Sequence, residues 1–202
     1  MPDTDELKIN YNLTKHTQMI LPITAYGMPV LKKLAVDIEE NNEEVQALVA
    51  NMFETMYKAS GVGLAGPQVN ENLRIFVIDG SPMAEEDPKC EGFKKVFINP
   101  EIIEEYGEEW GFEEGCLSIP GIRETVMRPE KVLIRYRDEN WQEHEEEFDG
   151  LRARIVQHEY DHVEGILFTD YLTPFKKRLL KKKLTNIAKG VAPHDYRMKF
   201  PK

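Results

Sequence analysis

Apolar residues recur along this chain at two spacings, and the changes between them outline its elements. Val45, Leu48, Val49, Met52, Phe53 and Met56 fall on one face at helical period. They predict a helix from a cap at Asn41 or Asn42 to about Lys58, with Glu43 and Glu44 in its first turn. The methionines of that face read as core filling. Residues 73–79, rich in Ile, Val and Phe, predict a strand. Residues 96–103 predict a second, with Pro100 suggesting an edge or a break. Residues 131–137 alternate Val132, Ile134 and Tyr136 against Lys131, Leu133 and Arg135. Residues 141–148 pair with them as a hairpin across Asp138, Glu139 and Asn140. His144 lies in this Glu-rich strand and is expected in solvent.

A helix opens at Asp149-Gly150, and another at Thr173-Pro174, an N-cap followed by a proline at the first helical position. Phe175, Leu179, Leu180, Leu184 and Ile187 are expected to form the apolar face of the latter, with Gly190 as its stop. Three stretches between elements lack a period. Gly61-Val62-Gly63-Leu64-Ala65-Gly66-Pro67-Gln68 reads as a close-packed loop or turn. Residues 81–94 read as a polar loop holding Cys90, an incidental thiol. The acidic run 104–114 reads as a solvated face. Strands come in runs before the main helices, without βαβ alternation, which makes the fold class α+β.

At 202 residues the chain fits one domain with a good core. Hydrophobic residues at 41% and charged residues at 31% describe a soluble globular protein. No apolar run approaches membrane-spanning length, and the first 18 residues lack the apolar core of a signal peptide. A net charge of −10 disfavours broad nucleic-acid binding. Cys90 and Cys116 make no disulfide framework and suit a reducing cytosol.

The chemistry gathers at Gln157-His158-Glu159-Tyr160-Asp161-His162. Two histidines four apart share one helix face and can reach one metal ion. Glu159 lies about 100° around the helix from His158, able to miss the metal and reach a water beside it. A third ligand has to come from elsewhere. Phe168 stands where a metzincin would have its third histidine. Residues 171–192 contain no Asp or Glu, which leaves no carboxylate for a thermolysin-like site. Cys116, inside Glu114-Gly115-Cys116-Leu117-Ser118, is the remaining candidate. As a thiolate it completes a three-ligand site with a fourth position open to water.

With these residues the chain resembles the bacterial peptide deformylases. That family carries G-x-G-x-A-A-P-Q, then E-G-C-x-S, then Q-H-E-x-D-H, in the order of residues 61–68, 114–118 and 157–162 here. H-E-x-x-H alone is a weak signal; the three together are highly specific. The resemblance runs from Met19 to about Gly190. It implies small antiparallel sheets packed around the central motif helix, followed by a C-terminal helix. The implied reaction is hydrolysis of the N-formyl group from the first methionine of new polypeptides, releasing formate. Cys116, His158 and His162 become metal ligands, Glu159 the catalytic acid/base, and Gln68 and the Leu117 N–H the oxyanion donors. Gly63 becomes a neighbour of the bound peptide. One Fe²⁺ per chain is the implied metal, with Zn²⁺, Ni²⁺ or Co²⁺ able to occupy the site.

The implied division is a dispensable extension at 1–18, one catalytic domain at 19–192 and a tail at 193–202. Gly66 departs from the family's usual alanine, and the lost methyl is expected to loosen packing or widen the pocket. The partners are formylated nascent chains in the cytoplasm, without DNA or membrane. Lys176, Lys177, Arg178, Lys181, Lys182 and Lys183 crowd the last helix and suggest a weak contact with ribosomal RNA. Two other readings remain: a metal peptidase acting on unformylated peptides, and a non-enzymatic domain with a structural metal.

Overall fold

Strand pairing through the middle of the chain follows the alternation of its side chains. The computed structural model describes residues 19–201; the extension expected at 1–18 lies outside them. Its elements are β1 Ile23–Thr24, α1 Glu43–Lys58, β2 Gly63–Ala65, β3 Ile75–Asp79, β4 Lys94–Cys116, β5 Ile119–Arg137, β6 Glu143–Asp149, α2 Gly150–Val163, α3 Pro174–Ala188 and β7 Met198–Lys199. The strands β2-β3-β4-β5-β6 form one antiparallel sheet in sequence order, and β1 pairs with β7 in parallel. The α+β class holds. The small sheets expected are instead one five-stranded sheet and this separate pair.

β4 and β5 run to 23 and 19 residues, well beyond an ordinary strand. Their ladder slips between Ile98 and Glu101, Ile102 and Glu104, and Tyr106 and Glu109. Such irregularities bend a hairpin and raise its twist. Pro100, which has no N–H to give a ladder, falls in the first of them. The strand does not stop there: the acidic run 104–114 continues it. Most of those glutamates are exposed, but Glu114 is buried. Residues 61–68, expected as a loop, form β2 and a short 3-10 turn, Gly66–Val69. Pairing of Gly63, Leu64 and Ala65 with Ile78, Val77 and Phe76 makes a strand there. Local propensity in so glycine-rich a stretch does not.

α2 packs across the sheet, touching β2, β3, β5 and β6. Its start is capped from a distance: Leu151 N donates to Asp87 Oδ2 at 3.2 Å, while Asp149 bonds Arg152 at 2.7 Å. Phe76, Phe97, Ile134, Tyr136 and Phe148 form the core beneath it with Ala153 and Val156. α1 begins as expected, with Asn42 Oδ1 accepting from Glu44 N and Val45 N at 3.1 Å each. Met52 and Met56 are fully buried against Leu64 and Ile98.

α3 departs from its predicted face. Leu180, Leu184 and Ile187 are buried, but Phe175 and Leu179 are 64% and 65% exposed. At about 100° per residue, these two lie well around the helix from the buried stripe. His144 departs too: its Nε2 sits 2.9 Å from Asp138 Oδ2 and its ring stacks on Tyr136. The stretch 193–202, expected as a tail, contributes β7, and Phe200 packs over Gly190.

Candidate metal centre

α2 brings His158 and His162 onto one face one turn apart, and the end of β4 brings Cys116 against them. The candidate ligand atoms of these three residues lie within 4.8 Å of one another. Cys116 Sγ is 3.3 Å from His162 Nε2. His158 turns Nδ1 to Glu114 Oε2 at 2.9 Å, which leaves Nε2 for the centre. Burial, and then the neighbouring His158, hold His162 well below the usual imidazole range, so its lone pair is available. One soft thiolate and two imidazoles suit a divalent ion such as zinc or ferrous iron. A histidine oriented by a carboxylate is the usual support for such a ligand. The residues present fit the metal that the sequence implies.

Glu159 stands beside the cluster with 4% of its surface exposed, and its Oε2 has no hydrogen-bond partner among the described residues. Burial pushes its carboxyl up to about 7, close to what an acid/base at neutral pH needs. Gly63 makes room for it: a Cβ there would lie 2.6 Å from Glu159 Cδ. Gln68 is buried as well. Its Oε1 accepts from Ala65 N at 2.8 Å, which fixes the flip of the amide. Nε2 then points inward, 3.4 Å from Cys116 Sγ and 3.5 Å from Ser118 Oγ. Leu117 lies in the turn between β4 and β5, next to the cysteine. All seven residues named from sequence line one cleft of about 840 Å³ or, for His162, stand directly behind Cys116.

Gly66 does not touch the cleft. A Cβ there would meet Leu73 O at 2.6 Å, so its lack of a methyl relieves a backbone contact and widens nothing. The expected loosening is therefore corrected.

A buried ion network behind the histidines was not read from sequence. Arg128 makes a bidentate contact with Glu114, at 2.7 and 3.0 Å, and reaches Asp161 Oδ2 at 2.8 Å. Arg154 adds a bond to Glu114 at 3.0 Å, and Tyr171 donates to Asp161 at 2.9 Å. Burial alone would raise the Glu114 carboxyl, but His158 and Arg128 outweigh it and hold the group well below the usual carboxylate range. Glu114 therefore stays an acceptor for His158. The available signal was an arginine four residues before His158 on its own helix, but nothing in sequence pairs it with residue 114.

A family model described as Polypeptide deformylase matches residues 20–178. The chain is 61% identical over 183 residues to a peptide deformylase of Cytophaga hutchinsonii, covering 91% of this chain and 98% of that one. It is 56% identical over 190 residues to that of Christiangramia forsetii, covering 91% and 97%. Among solved structures it is similar to a peptide deformylase from Legionella pneumophila. There the identity is 40%, the TM-score 0.75, and the coverage 87% of this chain and 100% of that one. A peptide deformylase from Synechococcus elongatus in complex with actinonin matches at 35% identity and TM-score 0.70, over 89% and 91%.

Proposed function

This chain belongs to the polypeptide deformylase family, and from that premise we propose which of its residues carry the reaction. The enzyme removes the N-formyl group from nascent polypeptides. Cys116, His158 and His162 hold the metal. The ion, when bound, supplies Lewis acidity toward a water and the formyl carbonyl. Glu159 takes the proton of the attacking water and returns it to the departing amine. Gln68 Nε2 and the Leu117 N–H donate to the oxygen that gains negative charge, from positions set before substrate arrives. Gly63 leaves the Glu159 carboxylate its place and lets the peptide backbone lie close. Val62, Met83, Phe112 and Ile155 supply an apolar lining to the cleft, suited to an unbranched methionine side chain.

The observation that carries this reading is the convergence of three metal-type donors, a buried carboxylate and an inward-pointing amide at one cleft. The metal is Fe²⁺ by resemblance to the family; the donor set accepts Zn²⁺, Ni²⁺ or Co²⁺ as well. The enzyme works in the cytoplasm on chains leaving the ribosome, with α3 facing RNA. Among the described residues no helix is long and apolar enough to cross a membrane. The test is formate release from formyl-Met-Ala-Ser by protein purified without oxygen, with metal analysis. Chelation should abolish release, and ferrous ion should restore it. Release that survives complete metal removal would overturn the assignment.

A further inference from the structure

Segments near both ends of the described chain meet at the turn that carries Leu117. β7 lies beside β1, with Ile23 N donating to Arg197 O and Ala25 N to Lys199 O, each at 2.8 Å. One residue later Tyr26 N donates to Ser118 O at 2.9 Å. From the C-terminal side, Tyr196 donates its hydroxyl to Leu117 O at 2.7 Å. Consecutive carbonyls of the turn are thus tethered by two different segments. The C-terminal stretch lies against the body along one regular face. Ala192, His194, Tyr196, Met198 and Phe200 are half-buried, while the residues between them are exposed. That period of two is what an extended segment laid on a surface produces. Pro193, His194, Asp195 and Tyr196 also line the cleft beside Cys116 and Gln68.

We propose that this C-terminal segment is part of the catalytic unit, with Tyr196 as a positioning residue for the Leu117 turn. The inference rests on the Leu117 N–H being an oxyanion donor. Cys116 anchors one side of the turn, but rotation within Leu117 is left to the tethers on the two carbonyls. A donor stabilises developing charge only if it is aimed beforehand. Loss of the Tyr196 hydroxyl therefore misdirects the N–H while leaving the metal ligands and the cleft walls in place. Its cost falls on turnover and spares substrate binding.

Tyr196→Phe keeps the ring and removes the one donor. Formate release from formyl-Met-Ala-Ser should show kcat reduced about three- to tenfold, the worth of one hydrogen bond. KM should change by less than about twofold, since uniform binding is untouched. Metal content per chain should equal wild type. Amide exchange in the peptide spanning residues 116–122 should quicken in metal-free and loaded protein alike, with exchange in α2 unaltered. A merely structural tyrosine would lower the melting temperature and leave kcat of the folded enzyme alone. Unchanged kcat, or unchanged exchange at the turn, overturns the inference. Glu159→Gln is assayed in parallel. If that variant is inactive while Tyr196→Phe matches wild type, the site assignment stands and the role of Tyr196 falls. If Glu159→Gln is active, the assignment itself is wrong.

Discussion

Burial does most of the chemical work at Glu159. Its carboxylate is packed against Gly63, faces the ligand cluster and is pushed up to about 7. Glu159→Gln preserves shape and packing but cannot accept a proton. It should keep its metal and lose at least about a hundredfold in kcat, the usual reach of general acid–base catalysis. Formate release measured beside metal content checks this; near wild-type turnover would remove Glu159 from the role. The two cysteines separate as clearly. Cys90 is fully buried beneath Phe93 and Gly80, and burial raises its thiol above the usual range, so it is poorly reactive. Cys116 opens onto the cleft. Metal should protect Cys116 from alkylation, with Cys90 unreactive either way. Mass spectrometry of labelled peptides reads the outcome, and metal-dependent protection of Cys90 would reverse the assignment.

Of the three helices α1, α2 and α3, α3 buries the fewest residues. Leu180, Leu184 and Ile187 dock it, Lys176 pairs with Glu124 at 2.7 Å, and Lys177 donates to Asp170 O at 2.7 Å. Arg178, Lys181, Lys182 and Lys183 are exposed together with Phe175 and Leu179. A solvated face accounts for some of this charge. These exposed cations on one short helix also suit a phosphate-rich partner. Reversing Lys177, Lys181 and Lys182 to Glu should leave turnover of a short free peptide unchanged and weaken pelleting with ribosomes at low salt. Equal pelleting of variant and wild type would leave α3 a structural helix only.

For the whole molecule, a net charge of −10 combined with a basic α3 would, on the reading proposed above, turn that helix toward a polyanion such as ribosomal RNA. Shortening the chain to begin at Met19 should leave that arrangement and the site intact. The family match begins at residue 20, and β1, the clamp on the turn and the ligands all lie after it. The shortened enzyme should match the full chain in kcat/KM and in melting temperature. A large drop in melting temperature would mean that residues 1–18 pack on the body.

Much of this protein is determined within short windows of sequence. The caps at Asn42 and Thr173, the hairpin at 138–140, and the His158/Glu159/His162 helix face depend on spacing and local chemistry, which a single segment carries by itself. The resemblance carried by the three motifs implied that Cys116, Gln68 and Gly63 share one site, and all three line one cleft. Other features required segments distant in sequence to meet. Residues 61–68 become a strand through β3, and Asp87 caps α2 from another loop. Glu114 changes from one acid in an exposed run to the buried partner of His158, Arg128 and Arg154. Gly66 loses its expected effect on the cleft because its missing methyl faces Leu73, and Tyr196 gains a role because β7 is drawn onto β1. In each case the deciding energy is a long-range hydrogen bond, ion pair or steric contact, which depends on where another segment lies and leaves no periodic signature in the chain.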